Sequence, residues 1–396
     1  MRAAPSPRSL RAVLSRLTST EVRAALVAVL LARTAVNAGT RLAYPFLPEI
    51  ARGLGVSLAA AAALLALRSA AGLAAPLVPG ITETVGRRAM MLGALVMAAV
   101  GAAVVGLAPG LAVAGVGFTL LGLAKPLFDI PMQGWFGARV PYARRGRVIG
   151  TTELTWAASL ALAAPAGFLI AATSWRAPFL LVALLSVAGL GVVTLLIRPD
   201  RPASRERRPL GVTRVHVTLM AVVLLFRLAA ELLFIVYGGW LEDDFGLSVA
   251  AIGIFTIVVV AAELAGEGGV AAFADRLGLR RTVFLGLLAS GSAYLSLGLV
   301  GGSLPLAVVA VVAWFAGFEL TIVATIALAT GLAHAAPERL LSFVATAAVA
   351  SSGIAALLGP QLYARGGIAL CGLAAAGCAA VAGALLTRVP SPSGAR

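Results

Sequence analysis

Apolar residues in this chain fall into long runs of about 20, separated by short polar breaks rich in arginine. The runs lie near 24–48, 57–79, 89–108, 111–135, 148–171 and 177–197. A second set follows near 216–240, 249–271, 282–300, 304–330, 341–361 and 367–387. Crossing a hydrocarbon core of about 30 Å takes roughly 20 helical residues. Each run therefore predicts one transmembrane helix, twelve in all. Glycine and proline inside the runs do not count against this, because membrane helices tolerate both. The first run follows a basic stretch (Arg2, Arg8, Arg11, Arg16, Arg23) and so imitates a secretory signal. It is longer than a signal's apolar core and contains Arg33 and Arg41, which predicts a first helix that stays in place.

Composition agrees with lipid as the solvent. Of the 396 residues 60% are hydrophobic and 12% charged, about half the charged share of a soluble domain. The net charge of +15 does not point to nucleic acid. The basic residues sit in clusters between apolar runs, with no amphipathic face and no interleaved aromatics, a pattern that orients membrane helices. One side gathers Arg87, Arg88, Arg139, Arg144, Arg145 and Arg147, the arginines between 198 and 214, and Arg276, Arg280, Arg281, Arg339, Arg388 and Arg396. The other side holds only Arg52, Arg176 and Arg365, with the acidic run Glu242, Asp243, Asp244. The asymmetry predicts a multi-pass protein of the cytoplasmic (inner) membrane with both termini in the cytoplasm. Cys371 and Cys378, the only cysteines, lie in the last run with no histidine nearby, which gives no metal or redox signal.

The polar stretch Pro199 to Arg214 divides the chain. The expected organisation is a tail (1–23), a six-helix bundle (24–197), a linker (198–215), a second six-helix bundle (216–387) and a short tail (388–396). The halves echo each other. Tyr44, Glu49, Gly53 and Leu54 match Tyr237, Glu242, Gly246 and Leu247 at one offset, and Glu83, Gly86 and Arg88 match Asp275, Gly278 and Arg281 at nearly the same one. Two similar six-helix halves suggest a duplicated transporter.

Particular motifs carry a family resemblance. The loop after span 2 reads Glu83-Thr-Val-Gly86-Arg87-Arg88, and the loop after span 8 reads Asp275-Arg276-Leu-Gly278-Leu-Arg280-Arg281. Both resemble the major facilitator loop motif G-x-x-x-D-R-x-G-R-R. Ser174-Trp175-Arg176-Ala-Pro-Phe179, at the end of span 5 and start of span 6, is a further segment that resembles that superfamily. The motif's first glycine is Pro79 in one copy and Ala271 in the other, and Thr84 stands where the motif has arginine. The resemblance implies an all-α fold of twelve membrane helices in two pseudo-symmetric bundles, working by alternating access. It also implies that Glu83, Gly86, Arg87 and Arg88, with Asp275, Arg276, Gly278 and Arg280, form a cytoplasmic gate. An acidic side chain there can pair with arginines or with a helix N-terminus. A set of solvated turns obeying the charge rule is the plainer alternative.

Ionisable residues inside the spans are the candidate site. They are Arg33 and Arg41 in span 1, Arg68 in span 2, Lys125 and Asp129 in span 4 and Glu153 in span 5. The second half has Arg227 and Glu231 in span 7, Glu263 and Glu267 in span 8 and Glu319 in span 10. Spans 3, 6, 9 and 12 carry none, and the resemblance implies that those four face lipid. A charge at the bilayer centre costs at least about 2.5 kcal/mol, so the set predicts a shared polar cavity. Lys125, Asp129 and Gln133 are spaced i, i+4, i+8 and form one stripe. Arg33, Asn37 and Arg41 repeat that spacing. Lys125 is the only lysine beside thirty arginines. A self-neutralising Lys125–Asp129 pair is one reading, and a pair facing substrate is the other. Arg227 and Glu231 are also i, i+4. Glu263 and Glu267 are like charges one turn apart, which without a cation between them favours sharing a proton. Trp156 lies on nearly the same face as Glu153, where it can shield the carboxylate, stack on a substrate or merely pack.

Expected cavity residues are thus Arg33, Asn37, Arg41, Arg68, Lys125, Gln133, Trp156 and Arg227. The proton-coupling candidates are Asp129, Glu153, Glu231, Glu263, Glu267 and Glu319. His216 and His334 stand at helix ends, where capping is the expected role. The resemblance to drug–proton antiporters is looser: Ala164-Pro165-Ala-Gly167 in span 5 and Gly359-Pro360 in span 11 approximate their Gly-Pro motif. The expectation is a monomeric, proton-coupled exporter of a small amphipathic or anionic molecule, without cofactor. Import of a metabolite, movement of a lipid-like molecule, and a non-transporting receptor or assembly protein of the same fold stand as alternatives. An enzyme is not expected: the chain shows no metal-ligand cluster, phosphate loop or sensibly placed Ser–His–Asp set.

Overall fold

The computed structural model describes residues 20–199, 213–300, 302–332 and 337–390. The side chains of 142–147, 149, 270–276, 330–331, 337–339 and 341–342 also lie outside the description. Asp275 and Arg276, His334, Arg339, most of the linker and the basic tail therefore fall beyond it.

All regular elements among the described residues are helices. Span 1 is α1 (Thr20–Arg41), a break, then α2 (Leu47–Leu54). Span 2 is α3 (Leu58–Gly72), a 3-10 turn at Ala75–Leu77 and α4 (Val78–Val85). Spans 3 and 4 are α5 (Arg87–Gly106) and α6 (Leu111–Arg139). Span 5 is α7 (Tyr142–Ala161) with α8 (Ala163–Ala172), and span 6 is α9 (Ala177–Leu196). The second half repeats the plan. Span 7 is α10 (Arg214–Phe234) with α11 (Tyr237–Phe245), and spans 8, 9 and 10 are α12 (Val249–Leu277), α13 (Leu279–Leu297) and α14 (Leu304–Leu332). Finally α15 (Pro337–Leu386) leaves helical geometry at Gly366 and Gly367 and so forms two spans.

Ten segments are long and apolar enough to cross a membrane. One of them, Phe343–Leu386, is divided at Gly366 and Gly367, which makes eleven. The twelfth is α13, which Arg280, Arg281 and its serines make less apolar. Twelve membrane helices in two pseudo-symmetric six-helix bundles result. The odd number of turns puts Thr20, Arg87, Arg139, Arg214, Arg280 and Pro390 at one end, here called the arginine-rich end. Arg52, Arg176, Glu242 and Arg365 are at the opposite end.

Small residues set the packing, as expected where lipid is no worse a neighbour than another apolar chain. In the first half Gly101 and Gly117 bring spans 3 and 4 together: a Cβ at Gly117 would lie 2.7 Å from the Gly101 carbonyl. Gly286 and Gly317 do the same for spans 9 and 10, at 2.7 Å from the Gly317 carbonyl. The halves meet along span 5 with span 8 and span 2 with span 11, two pairs that the pseudo-twofold exchanges. At the first, Gly253 faces the Ala163 carbonyl at 2.5 Å from an added Cβ, and Gly167 faces that of Val249 at 2.7 Å. At the second, Gly72 meets Val349 and Gly353 meets Ser69. The apolar window of span 6 is 28% buried against 67% for spans 1 and 7, which sets span 6 on the outside and those two at the centre.

The structure adjusts the register of the internal repeat. Gly55 (φ 67°) and Gly246 (φ 63°) are the equivalent left-handed helix caps. Gly53, which the sequence pairs with Gly246, instead lies directly under the Trp175 indole. Likewise the partner of Arg88 is Arg280, not Arg281. Arg88 donates to the Thr194 carbonyl at 2.7 Å and Arg280 to the Val389 carbonyl at 3.3 Å, each closing on the last span of its own half.

Candidate functional site

Counting 1.5 Å per helical residue, Arg33, Asp129, Glu153, Glu263, Glu267 and Glu319 lie about 15–21 Å from the arginine-rich ends of their helices. That is the middle of a bilayer. Two linked clusters are built around these residues, and a third lies nearer the opposite end.

The first joins spans 1, 4 and 5. Arg33 Nε donates to Asp129 Oδ1 at 2.8 Å, and its Nη1 lies 3.1 Å from Glu153 Oε1 and 2.7 Å from the Thr152 carbonyl. Lys125 Nζ donates to Asp129 Oδ2 at 2.7 Å and to Asn37 Oδ1 at 2.9 Å, while Asn37 donates to Thr155 Oγ1 at 3.2 Å. The helical stripes thus pack face to face. Pro126 and Pro131 lie within α6, beside the stripe, a substitution membrane helices accept where neighbours re-satisfy the backbone. Two cations and two carboxylates balance. Arg33 is buried, but the Glu153 side chain is 44% exposed and that of Lys125 28%. Gln133, one turn nearer the arginine-rich end, is exposed. It sits on the stripe without joining the cluster.

The second cluster crosses the halves. Arg41 Nη2 lies 2.5 Å and Nη1 3.2 Å from the Glu263 carboxylate, both side chains buried. Arg41 also donates to the Trp156 carbonyl at 2.9 Å. The Trp156 ring lies beneath Arg41 at 4.2 Å and faces Lys125 at 4.9 Å. Its neighbours are therefore cations from two clusters, and Glu153 turns instead to Arg33.

The third joins spans 1, 2 and 7. Arg68 donates to the Tyr44 hydroxyl at 2.7 Å and to the Thr40 carbonyl. Tyr44 donates to Glu231 Oε2 at 3.1 Å and stacks on Phe234 at 4.4 Å. Arg227 reaches Glu231 at 3.4 Å and lies over Phe318 at 5.3 Å. Glu267 and Glu319 remain. Neither has an ion-pair or hydrogen-bond partner among the described residues. Glu319 is buried against Gly266, whose missing Cβ would lie 2.7 Å from that of Glu319.

Sequence spacing overlooked a clasp at the opposite end. Arg52 bridges Glu49 and Glu242, each at 2.6 Å, so one half holds the other. Gly238 abuts the Pro45 carbonyl beside it. Tyr363 donates to Asp243 at 3.0 Å within the second half. At the arginine-rich end Arg87 lies over Gly134, and Arg88 and Arg280 bond as described above. Gly86 (φ 89°) and Gly278 (φ 81°) make the equivalent turns, in a region L side chains avoid. His216 forms a reciprocal cap with Thr213, at 3.2 and 3.4 Å. No group of three or more His, Cys, Asp or Glu among the described residues is arranged to hold a metal.

A sequence profile of the Major Facilitator Superfamily matches residues 29–227. An uncharacterized MFS-type transporter, YceJ of Bacillus subtilis (strain 168), is 28% identical over 162 residues, 39% of this chain. The chain spans about two fifths of that relative's length, 41%. Among solved structures, a mutant of the peptide transporter POT superposes with a TM-score of 0.75 at 14% identity, covering 92% of this chain and 93% of that one. The human organic anion transporter MFSD10 (TETRAN) gives 0.72 at 16%, covering 93% and 100%. A bacterial homolog of the human lysosomal transporter Spinster, inward-facing and occupied, gives 0.66 at 16%, covering 92% and 93%. At such identities the likeness is one of fold.

Proposed function

Because the chain belongs to the Major Facilitator Superfamily, we propose that it is a secondary active transporter that moves a small amphipathic or anionic molecule by alternating access, coupled to protons. One observation carries the reading: a mid-membrane ionised cluster whose Glu153 and Lys125 side chains are 44% and 28% exposed. Charges at that depth stay ionised where water or a polar solute reaches them. The exposed Gln133, on the same stripe one turn beyond Asp129, directs that access to the arginine-rich end, which the positive-inside rule assigns to the cytoplasm. The opposite end is shut by the Arg52 clasp and the Gly253 contact.

Lys125, Arg41 and Trp156 supply a cation-and-aromatic surface for an anionic or amphipathic solute. Asp129 is paired with Lys125 and Glu263 with Arg41, so a bound anion competes with these carboxylates and frees one to take a proton. Glu267 and Glu319, without a cation of their own, are the second place where a proton is held. The glycine turns at Gly86 and Gly278, with Glu83, Arg87, Arg88, Asp275, Arg276 and Arg280, close the cytoplasmic end when the halves rock. Export is the direction favoured, with both termini in the cytoplasm and one chain sufficient.

The test is a substrate screen in proteoliposomes under an imposed pH gradient. The wild type moves at least one amphipathic anion or zwitterion against its gradient at the expense of protons. Lys125→Met and Asp129→Asn abolish coupled transport while the protein still inserts. Full coupled activity in both single variants would remove span 4 from the mechanism.

A further inference from the structure

Two grooves open on the outer surface, and neither shares a residue with the ionised clusters. One, between α3 and α6, is apolar but for Thr119, and nothing marks its occupant. The other, of about 470 Å³, lies where α13 begins and α15 ends, and is lined by Leu277, Arg280, Arg281, Phe284, Leu285 and Leu386, with Thr387 at its rim. Leu277, Phe284 and Leu285 are exposed on the outside of span 9, so in a bilayer they meet acyl chains. The arginines stand at the first turn of that span, at headgroup level.

The two arginines differ. Arg280 has its structural counterpart in Arg88 and is engaged with the Val389 carbonyl. Arg281 corresponds to Ala89 in the first half, so the repeat does not require it. It is exposed and has no ion-pair or hydrogen-bond partner among the described residues. Arg388, next to Thr387, adds a further exposed cation at the same end. A guanidinium with free donors above an apolar trough matches a phosphodiester with its acyl chain.

We infer that this groove is a binding site for an anionic phospholipid, with the headgroup phosphate on Arg281 and Arg280 and an acyl chain along Phe284 and Leu285. The lipid ties the start of span 9 to the end of span 12. This inference does not involve the central clusters and shares with the transport reading only Arg280, placed above at the cytoplasmic gate.

The experiment uses the purified full-length protein in neutral detergent. Binding of phosphatidylglycerol is followed by native mass spectrometry and by the thermal midpoint. Phosphatidylcholine and inorganic phosphate serve as separate arms. Phosphatidylglycerol binds and raises the midpoint, whereas phosphatidylcholine and inorganic phosphate do not. Arg281→Ala weakens phosphatidylglycerol binding about fivefold, the share of one interfacial arginine. Arg281→Lys keeps most of it, and Arg214→Ala, an equal loss of charge at the same end, changes nothing. Unaltered lipid binding in Arg281→Ala would overturn the site. So would an equal loss in Arg214→Ala, which means diffuse attraction, or equal protection by inorganic phosphate, which means an anion site without lipid selectivity.

Discussion

Asp129 carries two cations at once, accepting from Arg33 at 2.8 Å and from Lys125 at 2.7 Å. Replacing either partner of such a pair is not symmetrical. Asp129→Asn leaves two cations at mid-membrane with only Glu153 to answer them. Lys125→Met leaves Arg33 between two carboxylates, a net charge of −1, but one of them, Glu153, is 44% exposed and can be solvated. The expected loss of stability is on the order of 3 kcal/mol for Asp129→Asn, within the range for breaking a buried pair, and clearly less for Lys125→Met. Thermal unfolding of the two variants in one detergent checks this, and equal midpoints would contradict it. Glu263→Gln follows the same logic, since it strands Arg41 among buried groups, and a similar loss is expected. Much of this cluster was legible in the spacing. The i, i+4, i+8 stripes of spans 1 and 4 are real faces and they meet. The partners across 222 residues were not legible, because Arg41 reaches Glu263 only through the docking of two halves. The pairing of Arg41 with Glu263 also separates Glu263 from Glu267, which sequence alone treats as one like-charged pair.

Elements were read from the solvent they live in. Twelve apolar runs became twelve spans because lipid dictates their length, and the ends differ mainly where polar residues continue a helix into the headgroups, as α6 does to Arg139. The break after Arg41 is marked only by Pro45, a residue membrane helices also carry within their spans, and the break after Phe234 by no residue at all. They matter, because they turn α2 and α11 into the lids that Arg52 and Glu242 clasp. That ion pair is half exposed and so contributes only about 0–1 kcal/mol, enough to shift the open and closed populations a few-fold. Arg52→Glu is expected to open the far end, and the swap Arg52→Glu with Glu242→Arg to restore closure. Distances between spin labels on α2 and α11 report both. Gly253 is a harder stop. A side chain there meets the Ala163 carbonyl at 2.5 Å, so Gly253→Val is expected to hold the far end apart and slow turnover strongly. An unchanged label distance would refute that contact as the closing surface.

At the scale of the molecule, the distribution of charge over the spans anticipated the arrangement. Spans 3, 6, 9 and 12 carry no ionised group in their apolar runs, and the clusters are built from spans 1, 2, 4, 5, 7, 8 and 10. Which end is shut could not be read from the sequence, because one sequence encodes every state of the cycle. That property belongs to packing between the halves, where glycine contacts and a single ion triad decide it. Alternating access as proposed requires a pocket that one face reaches in one state and the other face reaches after the halves rock. Accessibility from each face measures this most directly. Single cysteines replace Gln133 and Trp156 in a background lacking Cys371 and Cys378, and a membrane-impermeant thiol reagent is applied to oriented vesicles from either side. Labelling from the arginine-rich face alone is the expected result, with labelling from the opposite face appearing once Gly253→Val is added. Failure of both positions to label from either face, in either background, would contradict a shared aqueous pocket.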